Sequence, residues 1–264
     1  MWTRPDLKAK AKIAYKKNYW KCVLVGFIAC LLEGTISLNY SFNEGVKDGV
    51  SNGSLSLGDT ISNAASNTGI SALLLAAVTS VFVLIAIAIG IALSVFILNP
   101  ILMGCKGFFL NNRRHAETDA GEIFAPFRSN YINIVKGMFM MDLYIFLWSL
   151  LLIVPGIIKS YEYKLVPYIL YENPDMNWRD ALKLSSQLMN GNKGPAFVLD
   201  LSFIGWMILS GITFNILGLF MVFPYIAATD AELYIAIAHP EESNVIAPAA
   251  PEAKTVEFEV TENK

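Results

Sequence analysis

The sequence predicts an all-α polytopic membrane protein: six transmembrane helices arranged as three hairpins, each preceded by a cytoplasmic amphipathic helix. Three observations carry that expectation. Residues 70–98 run for 29 positions without one charged side chain, and about 20 apolar residues are enough to cross ~30 Å of hydrocarbon. The cationic side chains are segregated, with seven Lys and Arg up to Lys21, five between Lys106 and Lys136, three from Arg179 to Lys193, and only Lys47 in the polar stretch 39–69. Finally, one pattern recurs three times, in the order cap, Asn, apolar hairpin and a Pro in the second arm. The caps are Thr3, Asp119 and Asn177, the Asn residues are Asn18, Asn130 and Asn192, and the prolines are Pro100, Pro167 and Pro224.

Composition agrees. The chain of 264 residues is 55% hydrophobic and 16% charged, with a mean hydropathy of +0.48, whereas soluble domains carry roughly 25% charge. The net charge of −2 says nothing about partners, because the positive charge is localised. Cys22, Cys30 and Cys105 fall in or beside apolar segments, a placement expected of buried free thiols.

Taken in order, Thr3 and Asp6 have the spacing of a capping box, and Pro5 suits a first helical turn. Leu7, Ala11, Ala14 and Tyr15 share a face among Lys8, Lys10, Lys12, Lys16 and Lys17. This pattern predicts a basic amphipathic helix on the anionic cytoplasmic surface, where each Lys contributes ~1 kcal/mol. No small-x-small cleavage site follows, so the first span is read as uncleaved. The predicted spans are 20–38, 70–98, 134–154, 157–171, 195–213 and 216–238, with a polar outer loop at 39–69. Span two exceeds the bilayer at ~1.5 Å per residue, so it must tilt, project, or kink at Asn99-Pro100. Pro155-Gly156 is expected to turn the chain into the short fourth span. Trp178, Ala181, Leu182, Ser185, Leu188 and Met189 form one face of an amphipathic helix ending at Gly191. Residues 239–264 are rich in Pro, Ala and Glu and read as a disordered cytoplasmic tail.

The basic segments place both termini in the cytoplasm of a multi-pass protein of the cell membrane. An even number of spans follows, so 157–171 must cross despite Lys159, Glu162 and Lys164. With every unit starting on one side, the three hairpins would be parallel repeats about an axis along the membrane normal.

Ionisable groups inside spans cost ~2.5–3.5 kcal/mol each at mid-span and are the default functional candidates. Here they are Asp142, Glu162, Lys159, Asp200, Asp230 and Glu232, with Glu33 and Lys164; of these Glu33, Lys159 and Lys164 are nearer predicted interfaces, where lysines snorkel. Lys159 and Glu162 are spaced for an i,i+3 pair. No phosphate loop, His-Glu-x-x-His or Gly-x-Ser-x-Gly occurs. His115 and His239 lie outside the spans as solvated residues, and Trp2, Trp20, Trp178, Tyr15 and Tyr19 suit an interface belt. No catalytic residue, cofactor or metal site is expected.

VPGIIKSYEYKLVPYILYENPDM, the SxxLMNGNK ending at Lys193, FVLDLSFIGW at 197–206 and FPYIAATDAELY at 223–234 resemble the bacterial integral membrane family known as domain of unknown function 975. MWTRPDLKAKAK and KNYWK match the opening of that family, and the resemblance covers roughly residues 1–238. More distantly, the Pro-Gly-Ile turn with its Pro-containing return is similar to the membrane domain of some glycerophosphodiester phosphodiesterases. One departure is Gly194-Pro195, where the family carries a Trp and a basic residue. The resemblance implies a bacterial membrane location and a fold, but no activity. Three functions follow as expectations: a non-enzymatic protein acting in envelope homeostasis or on lipids and partner membrane proteins; a small transporter or channel with Asp142, Glu162 and Asp230 in a cavity; or, least favoured, a membrane enzyme acting on lipid. The expected partners are the bilayer's anionic inner leaflet and other membrane proteins, not nucleic acid.

Overall fold

The computed structural model describes residues 2–32, 71–115, 117–213 and 216–243, and among them every regular element is helical. Glu33, the loop 39–69 and most of the C-terminal tail therefore lie outside the described residues. Helix α1 (Arg4–Lys17) starts as its sequence predicts, with the Thr3 side chain accepting from the Asp6 N–H. It is followed by α2 (Tyr19–Leu32). Helix α3 (Ser71–Leu93) passes through a π turn at Ser94–Leu98 into α4 (Asn99–Arg114). A 3₁₀ turn (Ala120–Phe124) and the short α5 (Ala125–Arg128) lead to α6 (Tyr131–Leu151), α7 (Ile153–Glu162) and α8 (Val166–Glu172). Helices α9 (Trp178–Leu188), α10 (Lys193–Leu201) and α11 (Ile204–Ile212) follow, then a second π turn (Gly218–Val222), α12 (Phe223–Ala238) and α13 (Pro240–Ser243).

Among the described residues, four helices are long and apolar enough to cross a membrane: 77–114, 131–151, 193–212 and 218–238. They make the chain a membrane protein. Its surface is divided accordingly. No residue from Ala77 to Leu93 is buried, and Leu150 to Val154 at the α6–α7 tip are 64–77% exposed. Lipid, not protein, is the solvent these side chains suit. At the opposite end Leu7, Phe108, Leu110, Tyr168 and Leu170 are fully or almost fully buried in one core.

Three sequence expectations need correction. The apolar face of α1 does not rest on lipid: Leu7, Ala11, Ala14 and Tyr15 are buried, with α1 packed on α12 and α4. Protein packing wins because a complementary apolar face is available there. The α6–α7 reversal occurs at Leu152, which is extended at φ −160° and ψ 143°. Pro155 instead sits in the first turn of α7, where its missing N–H costs nothing. Asp119 precedes a 3₁₀ turn without capping it by its side chain. Asn177 does cap α9, accepting from the Arg179 N–H at 3.0 Å, and Gly191 takes the left-handed φ of +78° predicted for it.

The prolines explain the helix irregularities. A helical proline leaves the carbonyl four residues earlier without its donor. For Pro100 that acceptor is Phe96 O, and the Tyr131 hydroxyl donates to it at 2.5 Å. For Pro224 it is Phe220 O, which accepts from Tyr15 at 2.8 Å and Tyr19 at 3.3 Å. For Pro167 it is Tyr163 O, which accepts from the Val166 N–H at 3.1 Å in the turn between α7 and α8. Tyr15 and Tyr19 thus do internal structural work instead of forming a belt.

Gly104 marks the tightest helix contact. A Cβ there would lie 1.9 Å from the Ile123 carbonyl oxygen, a backbone atom that cannot rotate away. Gly104→Ala is expected to cost ~1–3 kcal/mol or more by overpacking, read as a lower midpoint of thermal unfolding in mild detergent. Gly90→Ala, whose Cβ would meet nothing within 4 Å, is the control and is expected to melt like the parent.

Candidate functional site

Apart from Asp142, the described charged side chains that the sequence places inside spans gather into three groups, each assembled from several helices. The first is centred on Glu162 at the end of α7, which is 8% exposed. Lys159, one helical turn earlier, donates to its Oε1 at 2.8 Å, so the predicted i,i+3 pair forms. Lys193 from the start of α10 donates to Oε2 at 2.7 Å, and the Ser186 hydroxyl of α9 donates to Oε1 at 2.8 Å. Ser185 secures the same junction by donating to the Glu162 carbonyl at 2.8 Å. Beside it opens a groove of about 470 Å³ between α6, α7 and α9, lined by Tyr144, Trp178, Arg179, Lys183 and Gln187 among others.

The second group is centred on Lys164 in the turn between α7 and α8. Its ammonium donates to Asp200 Oδ1 and Oδ2 at 3.0 and 2.9 Å and lies 3.0 Å from Asp230 Oδ1. Tyr161 donates to Asp200 Oδ2 at 2.8 Å. Lys164 therefore does not snorkel outward; it joins α10 and α12 to the break between α7 and α8. The break puts its side chain on the inner side, a placement that a continuous-helix reading of 157–171 could not anticipate.

The third group lies in the protein core, where Arg113 of α4 and Glu232 of α12 are 4% and 1% exposed and form an ion pair with 2.5 Å from Nε to Oε1. Next to it Arg114 pairs with Glu172 and Glu242, and Glu172 also accepts from the Tyr234 hydroxyl and lies 3.1 Å from His239 Nε2. His239 is consequently a structural partner instead of a freely solvated residue. Asp142 stands apart from all three groups, accepting from the buried Asn99 side chain at 2.7 Å.

Sequence reasoning misses Arg113, Arg114, Asn99 and Glu172, and it ranks the two arginines only as topology-setting charge. The usable signal is that α3 and α4 form one continuous helix ending in Asn-Asn-Arg-Arg, which carries the cations into the core. Lys17 donates to the Asn112 and His115 carbonyls and Lys21 to the Thr118 carbonyl at 3.0 Å, so basic residues predicted to meet lipid also cap the end of α4.

Burial raises the pKa of Glu172, but hydrogen bonds from Tyr234, His239 and Arg114 outweigh it and hold the carboxyl below its usual range. A carboxylate depressed on folding contributes stability above its unfolded value and loses it as pH falls towards the folded one. The difference in unfolding midpoint between the parent and Glu172→Gln is thus expected to stay constant above pH ~5 and to shrink below pH ~4. A difference that grows in acid would contradict this assignment.

Fold and charge arrangement together define a helical membrane protein with an ion-paired core. Among known families, residues 123–241 match the one described as Protein of unknown function (DUF975). That match starts in the 3₁₀ turn and takes in the first two charged groups, with Glu172 and Glu232 from the third. No curated protein and no solved structure matches the chain.

Proposed function

We propose that the chain is a six-span protein of the bacterial cell membrane, with both termini in the cytoplasm, whose role is non-enzymatic. In this reading it acts in envelope homeostasis by engaging anionic lipids of the inner leaflet and neighbouring membrane proteins. The match over 123–241 extends in this proposal to the whole membrane domain, with the membrane domain of some glycerophosphodiester phosphodiesterases as a distant relative. The observation that carries it is the state of the intramembrane charges. Lys159, Glu162, Asp200, Asp230 and Glu232 are each answered by an opposite charge, and Asp142 by an amide. Such groups hold helices together at low cost in hydrocarbon.

A threefold hairpin repeat belongs to the same proposal. Tyr19, Tyr131 and Lys193 each directly follow the recurring Asn, and each reaches the proline region of another hairpin's second arm. Tyr19 reaches Phe220 O, Tyr131 reaches Phe96 O, and Lys193 reaches the Glu162 carboxylate. Three contacts passed from unit to unit, two of them from a tyrosine hydroxyl to the carbonyl four residues before a proline, support a closed ring.

Transport is the second reading, favoured by one observation: Lys164 faces two carboxylates, and the Asp200 and Asp230 side chains remain 33% and 22% exposed. Proteoliposomes loaded with a pH-sensitive dye separate the two. The expected result is a proton leak equal to that of protein-free liposomes; a faster flux abolished by Asp230→Asn would overturn the non-enzymatic, non-transport reading. For topology, single cysteines at Ser54 and Asn215 are expected to react from outside intact cells, and one at Glu241 only after lysis.

A further inference from the structure

We infer that the groove beside Glu162 is a binding site for the headgroup of an anionic glycerophospholipid from the surrounding leaflet. This inference rests on the lipid-engaging reading above and gives it an address. Arg179, Lys183 and Gln187 recur at i, i+4 and i+8 on α9 and therefore present one stripe to the groove. Arg179 lies over the Trp178 ring, 4.7 Å from its centroid, which fixes the guanidinium in place. Neither Arg179 nor Lys183 has a carboxylate within 4.0 Å among the described residues. On the floor, the single carboxylate of Glu162 is shared by the ammonium groups of Lys159 and Lys193. Two cations thus line the groove, and its one carboxylate is already answered by two further lysines. That excess selects a net negative headgroup over a zwitterionic one, and a phosphate is the group that an arginine fork and a nearby lysine suit best.

The apolar side of the groove identifies the occupant as a lipid instead of a soluble phosphate. From Tyr144 the exposed face of α6 continues through Leu147, Trp148 and Leu151, which are 51%, 40% and 68% exposed, to the hairpin tip. Acyl chains can follow this path into the bilayer while the phosphate stays against α9. Basic pockets between spans on the cytoplasmic side are where anionic headgroups bind.

The test uses full-length protein in neutral detergent, with binding of phosphatidylglycerol, phosphatidylcholine and soluble glycerol phosphate measured by native mass spectrometry. The variants are R179Q with K183Q, each single change, and K12Q with K16Q on the exposed side of α1. All four positions are exposed, so unchanged unfolding midpoints without lipid are expected and serve as the check on folding. Phosphatidylglycerol is expected to bind the parent preferentially, and the double groove variant to bind it ~30-fold more weakly, equivalent to ~2 kcal/mol at 1.4 kcal/mol per tenfold. The α1 variant is expected to bind like the parent. Equal binding of phosphatidylcholine, competition by glycerol phosphate, or full affinity in the groove variants overturns the site. If the α1 variant alone loses affinity, the groove assignment fails while the leaflet-engaging reading stands. If no protein prefers the anionic lipid, both fall.

Discussion

Replacing Arg113 with methionine is expected to cost ~3–5 kcal/mol, because breaking a buried pair leaves an uncompensated charge behind. Glu232 is 1% exposed, and the partner it would lose sits 2.5 Å away on α4. Solvent cannot replace it at that depth. A second expectation separates the pair's energy from the packing of the arginine stem. The charge-free double variant Arg113→Met with Glu232→Leu should recover most of the loss, since well-packed apolar replacements of buried ion pairs are often neutral or better. Total stabilities of ~5–15 kcal/mol make the single variant a poorly accumulating protein. The measurement is the fraction of monodisperse protein surviving a temperature series on size exclusion. If Arg113→Met and the double variant behave alike, the damage lies in lost packing and the ion pair is energetically idle.

Lys164→Met is the second large effect. It leaves the carboxylates of Asp200 and Asp230 facing a site that has lost its cation, with Tyr161 still donating to Asp200. The group is partly exposed, so screening moderates the cost, and ~2–3 kcal/mol is the expected loss. Neutralising both acids in the same chain, with Asp200→Asn and Asp230→Asn, should restore most of it. The interaction energy from that cycle is the quantity to compare with zero. A cycle energy near zero would show that Lys164 holds α10 and α12 in place through its alkyl stem alone.

Much of this architecture can be read along the chain because it is written locally. The charge-free run before Pro100, the cap at Thr3, the cap at Asn177 and the glycine at 191 each act within a few residues, and the structure has them where the local pattern puts them. Boundaries moved where helices ran on: α4 continues past the predicted end of span two to Arg114, and α6 begins at Tyr131, three residues early. The site was less legible because its pairs join distant segments. Nothing near Lys164 announces Asp230, and nothing near Arg113 announces Glu232. Hydropathy ranks each charge by its own depth and treats a lysine near a helix end as free to reach water. Partner choice depends instead on how distant helices pack, and at Pro100 and Pro224 the freed carbonyls take tyrosine donors from other helices.

The hydrogen bonds from Tyr15 and Tyr19 to Phe220 have a consequence for biogenesis. Chains emerge and fold from the N-terminus, so α1 is made long before its partner α12. Until then the side chains of Leu7, Ala11 and Tyr15 need a temporary host. With Lys8, Lys10, Lys12, Lys16 and Lys17 around them, the charged face of the bilayer is a suitable one. Surface attachment would then be a stage in the life of this helix, ended when the last hairpin arrives and offers it a carbonyl. Insertion is thereby sequential but closure is not, and the packing of α12 is locked by residues that were made long before it.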